Sequence, residues 1–417
     1  MNGLFGEQKL TDFLPEMLTG EELHHGMECL PEYNPNIRNL CQANRLVALN
    51  DIYKIYLPNE MSVEIYSKLY LAMVRSMQKK STNSAVQQQY RNANKNLTVE
   101  TQGLIGGSDC FSIIGTSGIG KSASISRAVS LLSEKGAIVF QNPYLKVIPC
   151  VVVQCPFDCS AKGLLLEILR VIDSHIGTNY FEKALKARTT ADMMLSSVAQ
   201  VLLNHIGILI VDEIQNVVHH RNGRQLVSML TQLINSSGIS ICMVGTPEVE
   251  PFFSNVSYLA RRTLGLKYDR FGYGEYFENF CKLLFQYQYV RNEAELTEQM
   301  MNWLYEHSSG TLALVVTVFH DAQEIAILSG KETLDIEVMN QAYQQRMGMV
   351  QGFVQPSITK RPQASNVRKS APVCIEESGN DDEPINLFEL SVTAKNTHVD
   401  VIELLSNHIS IEEVRTQ

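Results

Sequence analysis

A chain of 417 residues, 45% hydrophobic and 19% charged, has the composition of an ordinary globular protein of two or three domains, which excludes collagen-like, coiled-coil and wholly disordered character. Its net charge of −9 and pI near 5.6 exclude a uniformly basic nucleic-acid coat, yet leave room for a local basic stripe. No charge-free apolar run reaches the ~18 residues a bilayer crossing needs, and MNGLFGEQKLTDFLPEM lacks the basic-then-apolar order of a secretory signal. The expectation is a cytoplasmic protein with no membrane partner.

In chain order, Phe5, Leu10, Phe13, Leu14 and Met17 recur at roughly helical spacing and predict a short helix docked on the body of the protein. Asn34-Pro35 marks a turn. The stretch 61–102 reads as helix, with Val63, Tyr66, Leu69, Tyr70, Met73 and Met77 apolar before a polar continuation. From about Asp109 to Glu248 the pattern changes. Cys110–Gly115, Val147–Cys155, Gly207–Glu213 and Gly238–Gly245 read as strands buried on both faces, with helices near 121–135, 161–175, 191–204 and 223–236 between them. Such alternation predicts an α/β fold, a parallel sheet with helices on both faces. Residues 275–350 read as helices alone, around Trp303, Leu312–Phe319 and 335–347. Beyond 355, four prolines, a basic group (Lys360, Arg361, Arg368, Lys369) and then acidic Glu376–Glu383 predict a linker, and INLFEL and VDVIELLSNHI a partner-binding tail. This gives four segments: a mainly helical extension (1–100), an α/β core (101–270), a helical lid (271–354), and a linker with its tail (355–417). Nine scattered cysteines form no Cys-x-x-Cys pair, so reduced thiols are expected rather than a zinc site.

GTSGIGKS, Gly115–Ser122, fits G-x-x-x-x-G-K-[ST] between an expected strand and an expected helix. Glycines let successive backbone N–H groups turn inward around phosphate oxygens, Lys121 reaches the β and γ phosphates, and the Ser122 hydroxyl ligates Mg²⁺. The expected nucleotide contacts are Gly115, Ser117, Gly118, Ile119, Gly120, Lys121 and Ser122, aided by the positive end of the helix that starts there. ILIVDE, Ile208–Glu213, ends an apolar strand in two carboxylates. Asp212 would hold the Mg²⁺ shell and Glu213 would polarise the attacking water. ICMVGTPE ends another strand in Thr246, suited to contact the γ-phosphate or to orient water. Arg261-Arg262 follows as a candidate arginine finger on a neighbouring subunit.

The order GTSGIGKS, ILIVDEIQNV, MVGTPE, ARR resembles the AAA+ superfamily. Within it, DEIQN, VGTPE, Tyr33-Asn34-Pro35 and IPCVVVQCPFDCSAKGLLLEIL (148–169) are similar to the bacterial DNA-transposition regulators of the TnsC/TniB type, over roughly 30–350. The resemblance implies an ATPase using ATP and Mg²⁺ that assembles head-to-tail on double-stranded DNA as a ring or helical filament. It would bridge a target-selection protein (TniQ/TnsD-like) to transposase subunits. It further implies Thr246 as first sensor, Arg261 or Arg262 completing the neighbour's site, and Lys162 touching the DNA backbone, with Lys186 and Arg188 as further DNA candidates. The lid stretch Ser308–Val316 departs from the pattern in having no basic residue to read the γ-phosphate. Two other readings stay open. One is a signalling ATPase switch acting on a protein partner without DNA; the other is an adaptor that binds ATP without turnover, against which Glu213 speaks.

Overall fold

Ile206–Asp212 (IGILIVD) carries six buried residues before its final aspartate, the pattern of a strand covered on both faces. It is the fourth of six strands: β1 (Phe111–Gly115), β2 (Ile138–Gln141), β3 (Tyr144–Gln154), β4 (Ile206–Asp212), β5 (Ser240–Gly245) and β6 (Leu266–Tyr268), in the order β2-β3-β4-β5-β1-β6. The computed structural model describes residues 10–80, 110–141, 144–187, 190–254, 265–346 and 348. Contacts divide the chain into Met1–Ile358 and Thr359–Gln417, and the second unit lies outside the described residues, with the linker and tail expected there.

Five strands run parallel, with registers such as Ile113↔Val244, Val211↔Met243 and Gln154↔Asp212. The expected parallel sheet flanked by helices is found, with one antiparallel edge where β2 pairs with β3. A hairpin returns the chain there before the sheet continues, so one edge is antiparallel and the sheet is mixed. The short β6, parallel to β1, closes the other edge.

The period-two alternation of the strands sorts their side chains between two cores. Leu209 and Val211 of β4, with Val151, Val153, Ile241 and Met243, pack against α5 (Ala161–Ile176), α7 (Ala191–His205) and α8 (Gly223–Ser237). Ile208 and Ile210, with Ile113, Cys150, Cys242 and Val244, pack against α1 (Gly20–Met27), α3 (Glu60–Lys80) and α4 (Lys121–Leu132). Each wholly buried Leu or Ile contributes roughly 1.5–3 kcal/mol relative to exposure. Capping fixes where helices begin: Ser160 Oγ accepts Gly163 N–H at α5, and Thr190 Oγ1 accepts Met193 N–H at α7. A seven-residue helix, α6 (Tyr180–Lys186), follows α5.

Where a short N-terminal helix is expected, the described residues show a 3-10 turn at Leu10–Phe13. Leu14 and Met17 still pack on the core beside α3, and Tyr70 Oη donates to Pro15 O. Phe5 and 81–102 lie outside the described residues. The lid comprises α9 (Glu275–Leu284), α10 (Glu298–Ser308), α11 (Leu312–Ser329) and α12 (Ile336–Arg346). By length and composition α11 could cross a membrane, with mean hydropathy 1.4, although Asp321 and Glu324 interrupt it. It is 56% buried and packs as the lid's central helix, with Val315, Phe319, Ala322 and Ala326 in the core.

The N-terminal extension also reaches the lid. Leu49, Ile52 and Ile55 join the lid core. Arg45, 1% exposed, from α2 (Gln42–Leu49) makes a two-pronged ion pair with Glu332 at 2.7 and 2.6 Å and donates to Tyr289 O at 3.0 Å. Arg38 donates to Gln288 O at 2.9 Å and pairs with Glu293 at 2.6 Å. The described cysteines are free thiols, buried at Cys150, Cys155, Cys159, Cys242 and Cys281 and exposed at Cys41.

Candidate nucleotide site

The loop between β1 and α4 turns twice through left-handed backbone, at Gly118 (φ +80) and Gly120 (φ +101). A side chain is strained at either position, and at Gly118 a Cβ would also meet Thr311 Cγ2 at 2.8 Å. Lys121 opens α4 and folds its ammonium back onto Gly115 O at 2.6 Å and Thr116 O at 2.9 Å. Two of its three donors are thus spent on loop carbonyls. Burial lowers its pKa, against the opposing pull of Asp212 and Glu213.

Asp212 and Glu213 arrive from β4, one strand removed from β1 across β5. Ser122 Oγ donates to Asp212 Oδ2 at 3.2 Å, and Asp212 Oδ1 accepts Glu213 N–H at 2.8 Å. Glu213 sits at φ +58, a conformation costing roughly 1–3 kcal/mol for a non-glycine residue. That kink ends the strand and turns the Glu213 carboxylate to accept from Gln215 Nε2. Thr246 ends β5, and its Oγ1 is buried without a hydrogen-bond partner.

These groups line one end of a cavity of about 500 Å³ whose walls are Ser117–Ser124, Asp212, Glu213, Gln215, Gly245 and Thr246. The rest of the lining is mostly apolar, with Tyr53, Ile55 and Leu57 from the N-terminal extension and Tyr276, Phe280, Leu312 and Val316 from the lid. A cavity lined by a glycine loop, a lysine and two carboxylates as well as by aromatic and aliphatic side chains suits a ligand that is charged at one end and flat at the other. The lid touches the loop through its main chain, with Ala313 N–H donating to Gly118 O at 3.1 Å.

Residues 105–253 match the family model described as an AAA domain. Among curated proteins none matches the chain. Solved structures similar to it include the Aeropyrum pernix Orc1 protein in complex with DNA (15% identity, TM-score 0.42, 62% of this chain and 64% of that one). Another is the Aeropyrum pernix Orc2 protein with ADPNP and ADP (17% identity, TM-score 0.39, 64% and 68%). AMPPCP-bound DnaA from Aquifex aeolicus is a third (11% identity, TM-score 0.37, 72% and 69%). The chain thus spans just under two thirds of the length of that Orc1 protein.

The matched AAA domain contains every residue expected at the nucleotide from Gly115 to Thr246, and the fold brings Ser117–Ser122, Asp212, Glu213 and Thr246 to one cavity; Gly115 is not among its lining residues and instead accepts Lys121 Nζ on its carbonyl at 2.6 Å. Arg261, Arg262 and Arg188 lie outside the described residues. Lys162 is half-buried in the first turn of α5, away from the cavity lining. Lys186, at the end of α6, is exposed and pairs with Glu182 at 3.5 Å. The lid stretch Ser308–Val316 supplies Leu312, Ala313 and Val316 to the cavity; Lys121 is the one basic side chain among the described lining residues.

Sequence reasoning missed the Tyr53–Asn59 wall and Gln215. The wall carries no motif, and only the packing of the extension between core and lid brings it to the cavity. Gln215 stands within DEIQN, but its contact with Glu213 depends on the left-handed turn at Glu213.

Proposed function

We propose that the protein is an ATPase regulator of DNA transposition that assembles on duplex DNA with ATP and links a target-selection protein to transposase subunits. The observation that carries the ATPase part is the convergence of the glycine loop, Lys121, Ser122, Asp212, Glu213 and Thr246 on one end of a single cavity. Mg²⁺ fits the donor set: Ser122 Oγ and Asp212 Oδ2 are hard oxygens already 3.2 Å apart, as a hard cation shared with phosphate oxygens requires. Bound there, Mg²⁺ would neutralise charge developing on the β and γ phosphates. Lys121 would bind the same phosphates, Glu213 would accept the proton of the attacking water, and the apolar part of the lining would take the base. Arg261 or Arg262 would act across a subunit boundary, tying turnover to homo-oligomer formation.

The DNA part draws support from the carboxyl edge of the sheet. The loop after β3 and the loop before α8 are tied by Asn216 Nδ2 to Cys155 O at 3.0 Å and Asn222 Nδ2 to Asp158 O at 3.3 Å. Lys162 in the first turn of α5, Arg221 in the loop before α8 and Arg224 in the first turn of α8 flank these loops, with Phe157 86% exposed in the loop after β3. A few cations per subunit suffice once many subunits line one path, since phosphate contacts add along the duplex. The transposition role rests on the resemblance of DEIQN, VGTPE and the 148–169 stretch.

The test is sedimentation or negative-stain imaging with duplex DNA under three conditions: no nucleotide, ADP, and a slowly hydrolysed ATP analogue. Large DNA-bound assemblies with the analogue alone support the reading, and Lys162→Glu should then weaken DNA binding at unchanged nucleotide affinity. A protein that stays small and DNA-free in all three overturns it, and ATPase activity indifferent to duplex would favour a switch acting on a protein partner.

A further inference from the structure

Two buried polar atoms at the phosphate end of the cavity have no hydrogen-bond partner, Gln215 Oε1 and Thr246 Oγ1. Buried polar atoms are rarely left unpaired, and an exception in a cavity calls for a ligand atom or a water. The orientation of Gln215 follows from chemistry. Its neighbour Glu213 is acceptor-only when ionised, so the amide nitrogen must face it, which sends Oε1 the other way. Oε1 lies 2.9 Å from where a Cβ on Gly245 would stand, and Thr246 is the next residue. The side chain of Gln215 therefore bridges the end of β4 to the end of β5, seated over a position that only glycine leaves open.

A water attacking a phosphorus directs one lone pair at it. That leaves two protons to donate and one lone pair to accept with. Glu213 and Gln215 Oε1 are the two acceptors, and the Thr246 hydroxyl is the donor; all three line the same end of the cavity.

We propose that Gln215 is a water-positioning residue, its Oε1 accepting a hydrogen bond from the second O–H of the attacking water while its Nε2 keeps the Glu213 carboxylate in place. In the step it serves, the water oxygen bonds to the γ-phosphorus as the β–γ bridging oxygen departs with its electron pair on ADP. The transferred proton passes to Glu213 and then to product phosphate. This inference rests on the ATPase reading of the site.

The experiment measures steady-state hydrolysis with duplex DNA present, together with binding of ADP·beryllium fluoride (a ground-state mimic) and ADP·aluminium fluoride (which holds the in-line water). Gln215→Ala should lower kcat by about 10²-fold, the scale of losing one preorganised polar contact, and leave KM unchanged. It should bind the beryllium complex as wild type does and lose preference for the aluminium complex. Gln215→Glu keeps the side-chain volume but sets a second carboxylate against Glu213. The acid limb of its kcat profile should move to higher pH, because a like charge raises a carboxyl pKa. Wild-type or faster turnover in Gln215→Ala overturns the inference, as does a fall in turnover matched by equal loss of both fluoride complexes, which marks a structural role. A wild-type protein that binds ATP without hydrolysing it overturns the ATPase reading itself.

Discussion

Arg45→Met tests whether the N-terminal extension is a structural part of the lid. The guanidinium is 1% exposed and holds Glu332 at 2.7 and 2.6 Å, with a further bond to Tyr289 O at 3.0 Å. Removing Arg45 leaves the Glu332 carboxylate only the longer contacts of Arg291, Nε at 3.9 Å and backbone N–H at 3.2 Å, and breaking a buried pair in this way costs about 3–5 kcal/mol. At roughly 2–4 °C per kcal/mol for a unit of this size, Tm should fall by about 6–20 °C by scanning calorimetry. The hydrogen bonds of Arg45 depress the pKa of Glu332. The carboxylate therefore contributes stability above its unfolded pKa and loses it as pH falls through the folded value, so wild type and variant should converge in acid. Glu332→Gln alone should also destabilise. Combined with Arg45→Met it should cost less than the two single changes summed, because the second change removes the stranded charge. Since α2 leads into the Tyr53–Asn59 wall of the cavity, nucleotide affinity should drop with Tm. A Tm within about 2 °C of wild type, at unchanged nucleotide affinity, would refute the clamp.

Three further outcomes are expected. Lys80 is wholly buried at the end of α3, with Nζ on Leu202 O and Leu203 O, and burial lowers its pKa from 10.5 to about 7. Between those values the unfolded chain holds the proton and the folded one does not, so Tm should rise from pH 7 to 9, by about 2 kcal/mol in stability, and Lys80→Met should flatten that rise. Gly120→Ala meets open space out to Met61 Cε at 4.0 Å, whereas Gly118→Ala also meets Thr311 Cγ2 at 2.8 Å. Both should weaken fluorescent-nucleotide binding through about 1–2 kcal/mol of left-handed strain, and only Gly118→Ala should also free the lid in hydrogen exchange. Ser122→Ala removes one of the two hard oxygens proposed for the cation, so half-maximal ATPase activity should need several-fold more Mg²⁺; an unchanged requirement would remove Ser122 from the cation shell.

Much of this was readable beforehand for a physical reason. Strands β1, β4 and β5 are buried on both faces, so they spell continuous apolar runs, and the helices after β1 and β3 begin at GTSGIGKS and SAKGL, where loop chemistry marks a start. The strands missed are those without such a signal. In β6 only Leu266–Tyr268 pairs, half-buried or exposed throughout. The four-residue β2 reads like part of a loop until β3 is extended alongside it. Arg45 reads as an ordinary solvated arginine on a short amphipathic helix, because its partner stands 287 residues away. Asp212 and Glu213 were legible only beside the glycine loop, since two acids ending an apolar strand can simply be solvated, and the fold sets them in the same cavity as that loop. Gln215 was not, because its contact depends on a backbone angle no residue pattern announces.

The lid poses a problem of communication. A cation reaching from it toward the phosphates would bind lid position to phosphate charge, but Lys121, on the core, is the basic side chain found among the described lining residues. Among the described residues the bond from lid to loop is neutral, the Ala313 N–H on Gly118 O, while Leu312 and Val316 line the same cavity. A second route runs through the N-terminal extension. Ser124 Oγ donates to Gly120 O, Tyr56 Oη donates to Ser124 Oγ at 2.8 Å and meets Ser62 Oγ at 2.6 Å. Ser62 N–H donates to Asn59 Oδ1, and Asn59 Nδ2 donates to Tyr276 Oη on α9. Every link is a hydrogen bond between buried or half-buried groups, so breaking one strands a polar atom at a cost of roughly 1–3 kcal/mol. The first link is the carbonyl of Gly120, within the phosphate loop, and the last is a lid side chain that also donates to Leu57 O. A displacement of the loop on binding a nucleotide therefore cannot leave the extension and the lid unmoved unless that cost is met. In this chain hydrogen bonds through the extension, not a charged lid residue among those described, connect the phosphate loop to the lid.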